Sequence, residues 1–573
     1  MKNNFIKQIN KSSLLWAILF AFLVSCSDSF LEEVPKSFLT PDNAFSQPAY
    51  IEQGVIGLHQ QARTWWTNNN AGTTTRMTLG TDLAYHGEQP GSGTFMNYQS
   101  NMTPTAGTGN FWNSPYGLIQ KANVVINAIE KSDDAIWINP GEKEALLGEA
   151  MFFRAFAYRI LVVCFGDVPL VVEAIDYPKT DFVRAPKAEI YSLMESDLNY
   201  AVRYLPVRGS EKAPGRITQG AAWHLLTETY LIQSKYQDAV TAATHVIDDY
   251  GYALMTRRFG TKLGSDIFGS GDPYFDLFGY GNHNLSENTE GIWVIQVAPG
   301  VAGGGDYPGE RMFGPAYYRV GNTPDGFPAS RGEFVEGVYT SYSDTLGQPV
   351  AWNRPTNYVC YEIWGGGNWD VDQRNAEHNI KRSFYFDNPA SAYHGQKIEW
   401  SLYAAAGVTR ANPRQDTCEY IFPYFMKVCA PCERFTDAGR SGGGVNHKCL
   451  YAIRLAETYL LRAEAYLGLN QKDKAADDIN EVRNRARAIP VTPGEVTIDY
   501  ILDERARELY SEEFRMITLL RLGKLVERVR KYNDNPLRPG LGIQDYHNLF
   551  PIPQTEIDRN VNAVLTQNPG YPQ

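Results

Sequence analysis

Two well-separated stretches of this chain carry the same pattern. Tyr230 precedes Ala239 by nine residues, and Tyr466 precedes Ala475 by nine. Four and seven positions beyond each alanine stand Ala243 and Val246 in one copy, and Ile479 and Val482 in the other. Polar turns, Gln233-Ser234-Lys235-Tyr236 and Asn470-Gln471-Lys472-Asp473, separate the halves. Apolar residues at this spacing line one face of a helix. A small Ala lets a second helix approach closely, and the Tyr fills the space beside it. Each copy is therefore expected to be a helix hairpin. One hairpin cannot bury its own apolar face, and about three stacked units make a stable array. Two clear copies should therefore lean on something else, and the middle of the chain is the expected support.

The hairpins resemble tetratricopeptide repeats. Other segments are helical too. Phe111 to Ile129 carries Trp112, Tyr116, Ile119, Val124, Ile126 and Ile129 as an approximate stripe. Glu142 to Phe165 is a second helix, ended by Gly166-Asp167-Val168-Pro169. Residues 255–450 differ: they are rich in Gly, Asn, Pro and aromatics, as in Gly303-Gly304-Gly305 and Gly365-Gly366-Gly367-Asn368-Trp369. The aromatic content argues against disorder, and loops of this length inside a domain are usually functional. The expected fold is mainly α: a tetratricopeptide-like helical scaffold with a loop-rich, irregular lobe carrying short strands such as Ile292 to Val297. The expected divisions are 42–254 (helical), 255–450 (lobe) and 451–573 (helical).

The N-terminus reads as an export signal. Lys2, Lys7 and Lys11 precede an apolar run from Leu14 to Val24, which is too short for a bilayer span of roughly 20 residues. It ends Leu23-Val24-Ser25-Cys26, which resembles the bacterial lipobox. Residues 1–25 are thus expected to be a lipoprotein signal peptide, with lipid on Cys26 and a tether over 26–41. One acyl chain anchors a protein only marginally, and several anchor it stably. The acidic residues after the cysteine, in Ser27-Asp28-Ser29-Phe30-Leu31-Glu32-Glu33, are similar to surface-export signals of Bacteroidetes lipoproteins. A net charge of −11 without a basic block argues against nucleic acid as a partner. Six further cysteines are Cys164, Cys360, Cys418, Cys429, Cys432 and Cys449. An exported chain allows disulfides, and a local disulfide loop within 418–449 is the first expectation. A zinc site built on Cys429-Ala430-Pro431-Cys432 and free thiols are the alternatives.

Several motifs, in order, resemble the SusD/RagB family over nearly the whole chain beyond Cys26. They are Phe153-Arg154-Ala155-Phe156-Ala157-Tyr158 with Phe165-Gly166-Asp167-Val168-Pro169-Leu170; Arg354-Pro355-Thr356, Asp372-Gln373-Arg374 and Asn379-Ile380-Lys381-Arg382; Arg454 through Tyr466; Ile501 through Leu509 with Glu513-Phe514-Arg515 and Leu520-Arg521; and the closing Leu549-Phe550-Pro551-Ile552-Pro553 and Gln567-Asn568-Pro569-Gly570-Tyr571. The resemblance implies a non-catalytic surface lipoprotein of the outer membrane. It would bind oligo- or polysaccharide and sit as a lid on a SusC-type TonB-dependent transporter. A peptide ligand, as in the RagB branch, is the alternative. No cofactor is implied beyond a structural calcium found in some relatives, and no Asp-x-Asp-x-Asp-Gly loop is present.

Sugars need flat apolar faces and hydrogen-bond partners together, so exposed rings beside polar residues on loops are the candidates. Two regions qualify. One runs from Trp65 and Trp66 through Asn68, Asn69 and Asn70 to Asp82, Tyr85, Phe95, Tyr98 and Asn101. The other holds Trp352, Trp364, Asn368 and Trp369. The expected ligand residues are Trp65, Trp66, Asp82, Tyr85, Tyr98, Asn101, Trp364 and Trp369. Trp112, on its helical stripe, is expected in the core. Glu457, Arg462, Glu504, Arg505, Glu508 and Arg515 look like a catalytic cluster, but their helical spacing suggests ion pairs within and between helices. A glycoside hydrolase would need two facing carboxylates, and no hydrolase, metalloprotease or phosphate-loop motif occurs. A purely structural interaction protein is the remaining rival.

Overall fold

The computed structural model describes residues 45–67, 78–261, 263–264, 270–335, 337–431 and 445–572. The signal peptide, the tether with Cys26, Asn68 to Asn70 and Cys432 lie outside the described residues.

The longer helices among the described residues are α1 (Pro48–Thr67), α2 (Gly109–Lys131), α3 (Glu142–Phe165), α4 (Lys187–Tyr204), α5 (Gln219–Ile232), α6 (Tyr236–Asp249), α7 (Leu455–Gly468), α8 (Lys472–Arg485), α9 (Ile498–Leu509), α10 (Arg515–Arg521) and α11 (Leu525–Tyr532). The two hairpins read from the sequence are α5–α6 and α7–α8. Their turns are superimposable in kind. Ser234 and Asn470 occupy equivalent left-handed positions, with φ of 58° and 59°. Lys235 N donates to Tyr230 O at 2.9 Å, and Gln471 N to Tyr466 O at 2.8 Å.

The hairpins stack on each other, α6 against α7, although the whole lobe separates them in sequence. Ala239 packs there with Leu461 and Ala465, and Ala475 is buried inside its own hairpin against Leu460 and Ala463. Gly468 is needed as well. A Cβ there would lie 2.5 Å from the Tyr236 ring, so the close approach of the hairpins depends on an absent side chain. The array continues backward through α4, α3 and α2, each packed on the next, with α1 laid across α2 and α3. The N-terminal helices therefore supply most of the support that the sequence reading assigned to the middle of the chain. Their repeat character is hidden because α3 is buried from Leu146 to Phe165 on nearly every side, so it shows no polar face for periodicity to detect.

The lobe carries only two-stranded sheets among the described residues. In the longest, β2 (Gly291–Ile295) runs antiparallel to β8 (Leu450–Arg454). This pairing joins an early strand of the lobe to its last residues and delivers the chain into α7, where Leu455 N donates to Glu290 O at 3.0 Å. The strand crosses the division expected at 450. One core unites lobe and scaffold: Trp293 of β2 packs edge-on against Phe152, Phe156 and Trp66 of the helices. No described helix is long and apolar enough to cross a membrane.

The cysteine expectation is corrected. Cys164, Cys360, Cys418, Cys429 and Cys449 are all free thiols. They sit in separate surroundings: the Cys418 Sγ lies 3.6 Å from the Tyr85 hydroxyl, and the Cys449 Sγ faces Val297. Burial pushes the Cys429 thiol up to about 12, so it stays protonated and a poor nucleophile. Among the described residues no three metal-ligating side chains converge.

Candidate ligand-binding site

The two regions singled out in the sequence meet in the fold. β1 (Ala84–Tyr85) pairs antiparallel with β5 (Arg354–Pro355) of the lobe. Thr356 N donates to Leu83 O at 2.8 Å, and Gly87 N to Ala351 O at 2.9 Å. Gly87 has no room for a side chain, since a Cβ would sit 2.3 Å from Cys418 O. At the other end Thr78 Oγ1 donates to Asn353 Oδ1 at 3.3 Å. The segment 78–88 is thus stitched along its length to the segment 351–356.

At this seam three half-buried rings gather with four charged groups. The Arg311 guanidinium lies 5.2 Å from the Trp352 ring centre. Tyr318 meets Tyr342 edge-on with centroids 6.1 Å apart, and Arg319 lies 5.7 Å from the Tyr318 ring. Arg319 Nη1 is 3.1 Å from both Glu88 and Glu419. Burial raises the Tyr318 hydroxyl pKa, while Arg319 and Arg311 pull it down. Arg311, which backs Trp352, also acts on the Tyr318 hydroxyl, so the two rings share a charged neighbour. Flat ring faces beside guanidinium donors and a carboxylate acceptor suit a ligand with CH faces and hydroxyls.

Most of the expected ligand residues are elsewhere. Trp65 and Trp66 are 1% and 3% exposed, packed on Phe111, Phe156 and Phe514. A ring so placed offers no face to a ligand, and both belong to the core. The signal was available: Ile51, Val55, Leu58, Ala62 and Trp65 recur at helical spacing along α1 and are all buried. Tyr85 is buried under Arg354. Tyr98 is buried and donates to Gly80 O at 2.7 Å, and Trp364 is buried with its indole N–H on Val359 O at 3.0 Å. The buried Asp82 carboxylate accepts from Arg515 at 2.9 and 2.6 Å and from Arg528 at 2.7 Å, so it is a structural anion. Half-buried Asn101 closes its own loop on Gly93 O. Asn368 is buried and accepts from Arg483 and Ile489 N. Only Trp369, at 42%, stands well exposed. Arg311, Tyr318, Arg319, Tyr342 and Glu88 were not foreseen. No spacing announces them, because separate loops bring them together.

Comparison with known proteins gives two family matches. Residues 289–571 match the model described as the SusD family, and residues 29–231 match one described as starch-binding associating with outer membrane. The chain belongs to the SusD/RagB family. A SusD-like protein of Formosa agariphila, P25, is 24% identical over 97% of this chain and 99% of its own. The starch-binding protein SusD of Bacteroides thetaiotaomicron is 27% identical over 74% of this chain and 72% of its own. Among solved structures, a laminarin-binding SusD-like protein superposes with a TM-score of 0.64 at 23% identity, covering 92% of this chain and all of that one.

Membership of the SusD/RagB family makes this a binding protein, not an enzyme. Its charged motifs act accordingly. Glu504 meets Arg374 at 2.8 Å, Arg483 at 2.6 Å and Arg507 at 2.8 Å. Burial would raise its pKa, but the three guanidiniums bring it down to about 2. Arg505 pairs with Glu457 and Glu513, and Arg462 with Asp478. Arg507–Glu504 is an i,i+3 pair, whereas Arg374–Glu504 and Arg505–Glu457 join elements far apart in sequence. The SusD-like signature residues are internal ties between the last hairpin, α9 and the lobe.

Proposed function

We propose that this chain captures an oligo- or polysaccharide at the outer face of the outer membrane, at the seam around Trp352, and delivers it to a SusC-type TonB-dependent transporter. The observation that carries the reading is the half-buried Trp352, Tyr318 and Tyr342 with Arg311, Arg319 and Glu88 beside them. Its chemistry fits a sugar, whose CH faces stack on rings and whose hydroxyls need charged or polar partners. The name of SusD as starch-binding and a surface glycan-binding protein A of Bacteroides thetaiotaomicron solved with laminarihexaose, with a TM-score of 0.62, support this ligand class. Lipid on Cys26 would hold the protein beside its transporter.

The lipid-free chain should bind at least one member of a panel of laminarin, soluble starch, xylan, mannan and pectin in calorimetry. Trp352→Ala should weaken that binding about tenfold or more, which corresponds to about 1.4 kcal/mol, with an unchanged circular dichroism spectrum. Binding to oligopeptides and to no polysaccharide would replace this reading with the RagB type. In cells, Cys26→Ala should shift the protein from the membrane fraction to the medium or periplasm and slow glycan uptake. Unchanged fractionation would overturn the lipid anchor.

A further inference from the structure

We propose a second carbohydrate-binding site at Tyr361 and Trp369, separate from the seam; it rests on the glycan reading above. Of the tryptophans among the described residues, only Trp369 is in the exposed class, and its neighbour Tyr361 is 45% exposed. The intervening glycines explain the arrangement. Gly366 and Gly367 take φ of 66° and 82°, left-handed turns that return the chain so that Trp369 stands beside Tyr361. The two rings lie within 14° of parallel, with centroids 6.4 Å apart. Asn375 Nδ2 donates to Trp369 O at 2.7 Å, fixing the backbone. The Arg382 guanidinium backs the indole at 4.8 Å and is itself held by Cys360 O at 2.9 Å and Asn375 Oδ1 at 2.7 Å. The result is a rigid aromatic surface open to water. Two exposed rings held in common orientation contribute nothing to the core, so folding alone does not account for them.

Beside this surface opens a cleft of about 750 Å³, with Trp369, Asp370, Glu377, His378, Lys397 and Arg487 in its walls. That size lies within the roughly 300–1,000 Å³ of ligand pockets. The walls offer donors and acceptors of both signs at the edge of a flat apolar face, which is the combination a glycan needs. His378 is steadied by Asp272 at 2.7 Å. Arg487 follows the end of α8 with φ of 56°, the same left-handed cap position that Ser234 and Asn470 take after α5 and α7, and Ala488 N closes the turn on Arg483 O at 2.9 Å, which fixes the backbone of this part of the cleft wall. The site shares no residue with the seam.

The test uses the lipid-free full chain and a panel polysaccharide that the wild type binds. N-Bromosuccinimide oxidises exposed indoles, and peptide mass spectrometry reads Trp369 separately. The polysaccharide should slow Trp369 oxidation at least threefold, in the wild type and in Trp352→Ala alike. Tyr361→Ala/Trp369→Ala should weaken binding about threefold to tenfold while keeping the seam's contribution. If the wild type binds but Trp369 is oxidised equally fast with and without polysaccharide, the second site is wrong and the seam stands. If Tyr361→Ala/Trp369→Ala abolishes all binding, there is one site and not two. If no panel member binds the wild type, the glycan reading fails and this site with it.

Discussion

Glu508→Ala is expected to lower the unfolding free energy by about 3–5 kcal/mol, the usual cost of removing one partner from a buried ion pair. Glu508 is fully buried, and its carboxylate accepts from Arg374 at 3.0 Å, Arg454 at 2.9 Å and Arg485. Burial alone would raise its pKa, yet Arg485, Arg454 and Arg374 hold it far below the usual carboxylate range. Removing the carboxylate leaves those arginines, all nearly or fully buried, with Glu290, Asp372, Glu504 and Glu512 as the remaining anions. The loss reaches three elements at once, because Arg374 belongs to the lobe, Arg454 to β8 and Arg485 to α8. A typical domain has only about 5–15 kcal/mol of stability, so this one change removes a large share. The exposed pair of Arg530 with Asp545 is the control, and Asp545→Ala should cost about 0.5 kcal/mol or less. Urea unfolding of both variants measures the contrast. A Glu508→Ala cost below about 1 kcal/mol would mean that the network is not holding the lobe to the scaffold.

Acid should destabilise the protein in two stages. His224 is buried between α5 and α7, its Nδ1 2.8 Å from Thr458 Oγ1. Burial dominates and lowers its pKa from 6.5 to about 3. The folded protein therefore keeps it neutral, while the unfolded chain takes a proton as the pH drops below 6.5. Stability from His224 is full above 6.5 and drains away toward pH 3. The second stage belongs to the carboxylates. Burial would raise Glu149, but His59 and Arg216 bring it from 4.5 down to about 2. Glu504 falls to about 2 for the reason already given. Their contributions are present above pH 4.5 and are lost as the pH falls toward 2. A displacement of this size is on the order of 3 kcal/mol for Glu149 alone. Melting temperatures should decline from pH 7 to 5 and fall steeply below pH 4. His224→Gln should flatten the first decline and spare the second. Equal melting temperatures at pH 7 and 5 in the wild type would remove His224 from this account.

The helical hairpins were legible because their residues repeat at the period of the element they form. Tyr230, Ala239 and Val246 have counterparts in Tyr466, Ala475 and Val482, and even the left-handed turn positions correspond. The ordered motifs from Phe153 to Tyr571 likewise identified the family before any coordinate was known. The ring positions were harder. Trp65 stands on the buried stripe of α1, although a polar run follows it directly in sequence. Trp364 and Trp369 stand five residues apart in the same glycine-rich stretch, and one is buried while the other is open.

Local sequence thus determined the elements, the family and the charged residues that tie the elements together, because periodicity and motif order are properties of the chain alone. Which rings reach water, and which loops share a surface, was decided only by tertiary structure. Exposure of a loop side chain depends on what the chain places against it. Here β1 finds β5, and α6 finds α7, across some two hundred residues or more of intervening sequence.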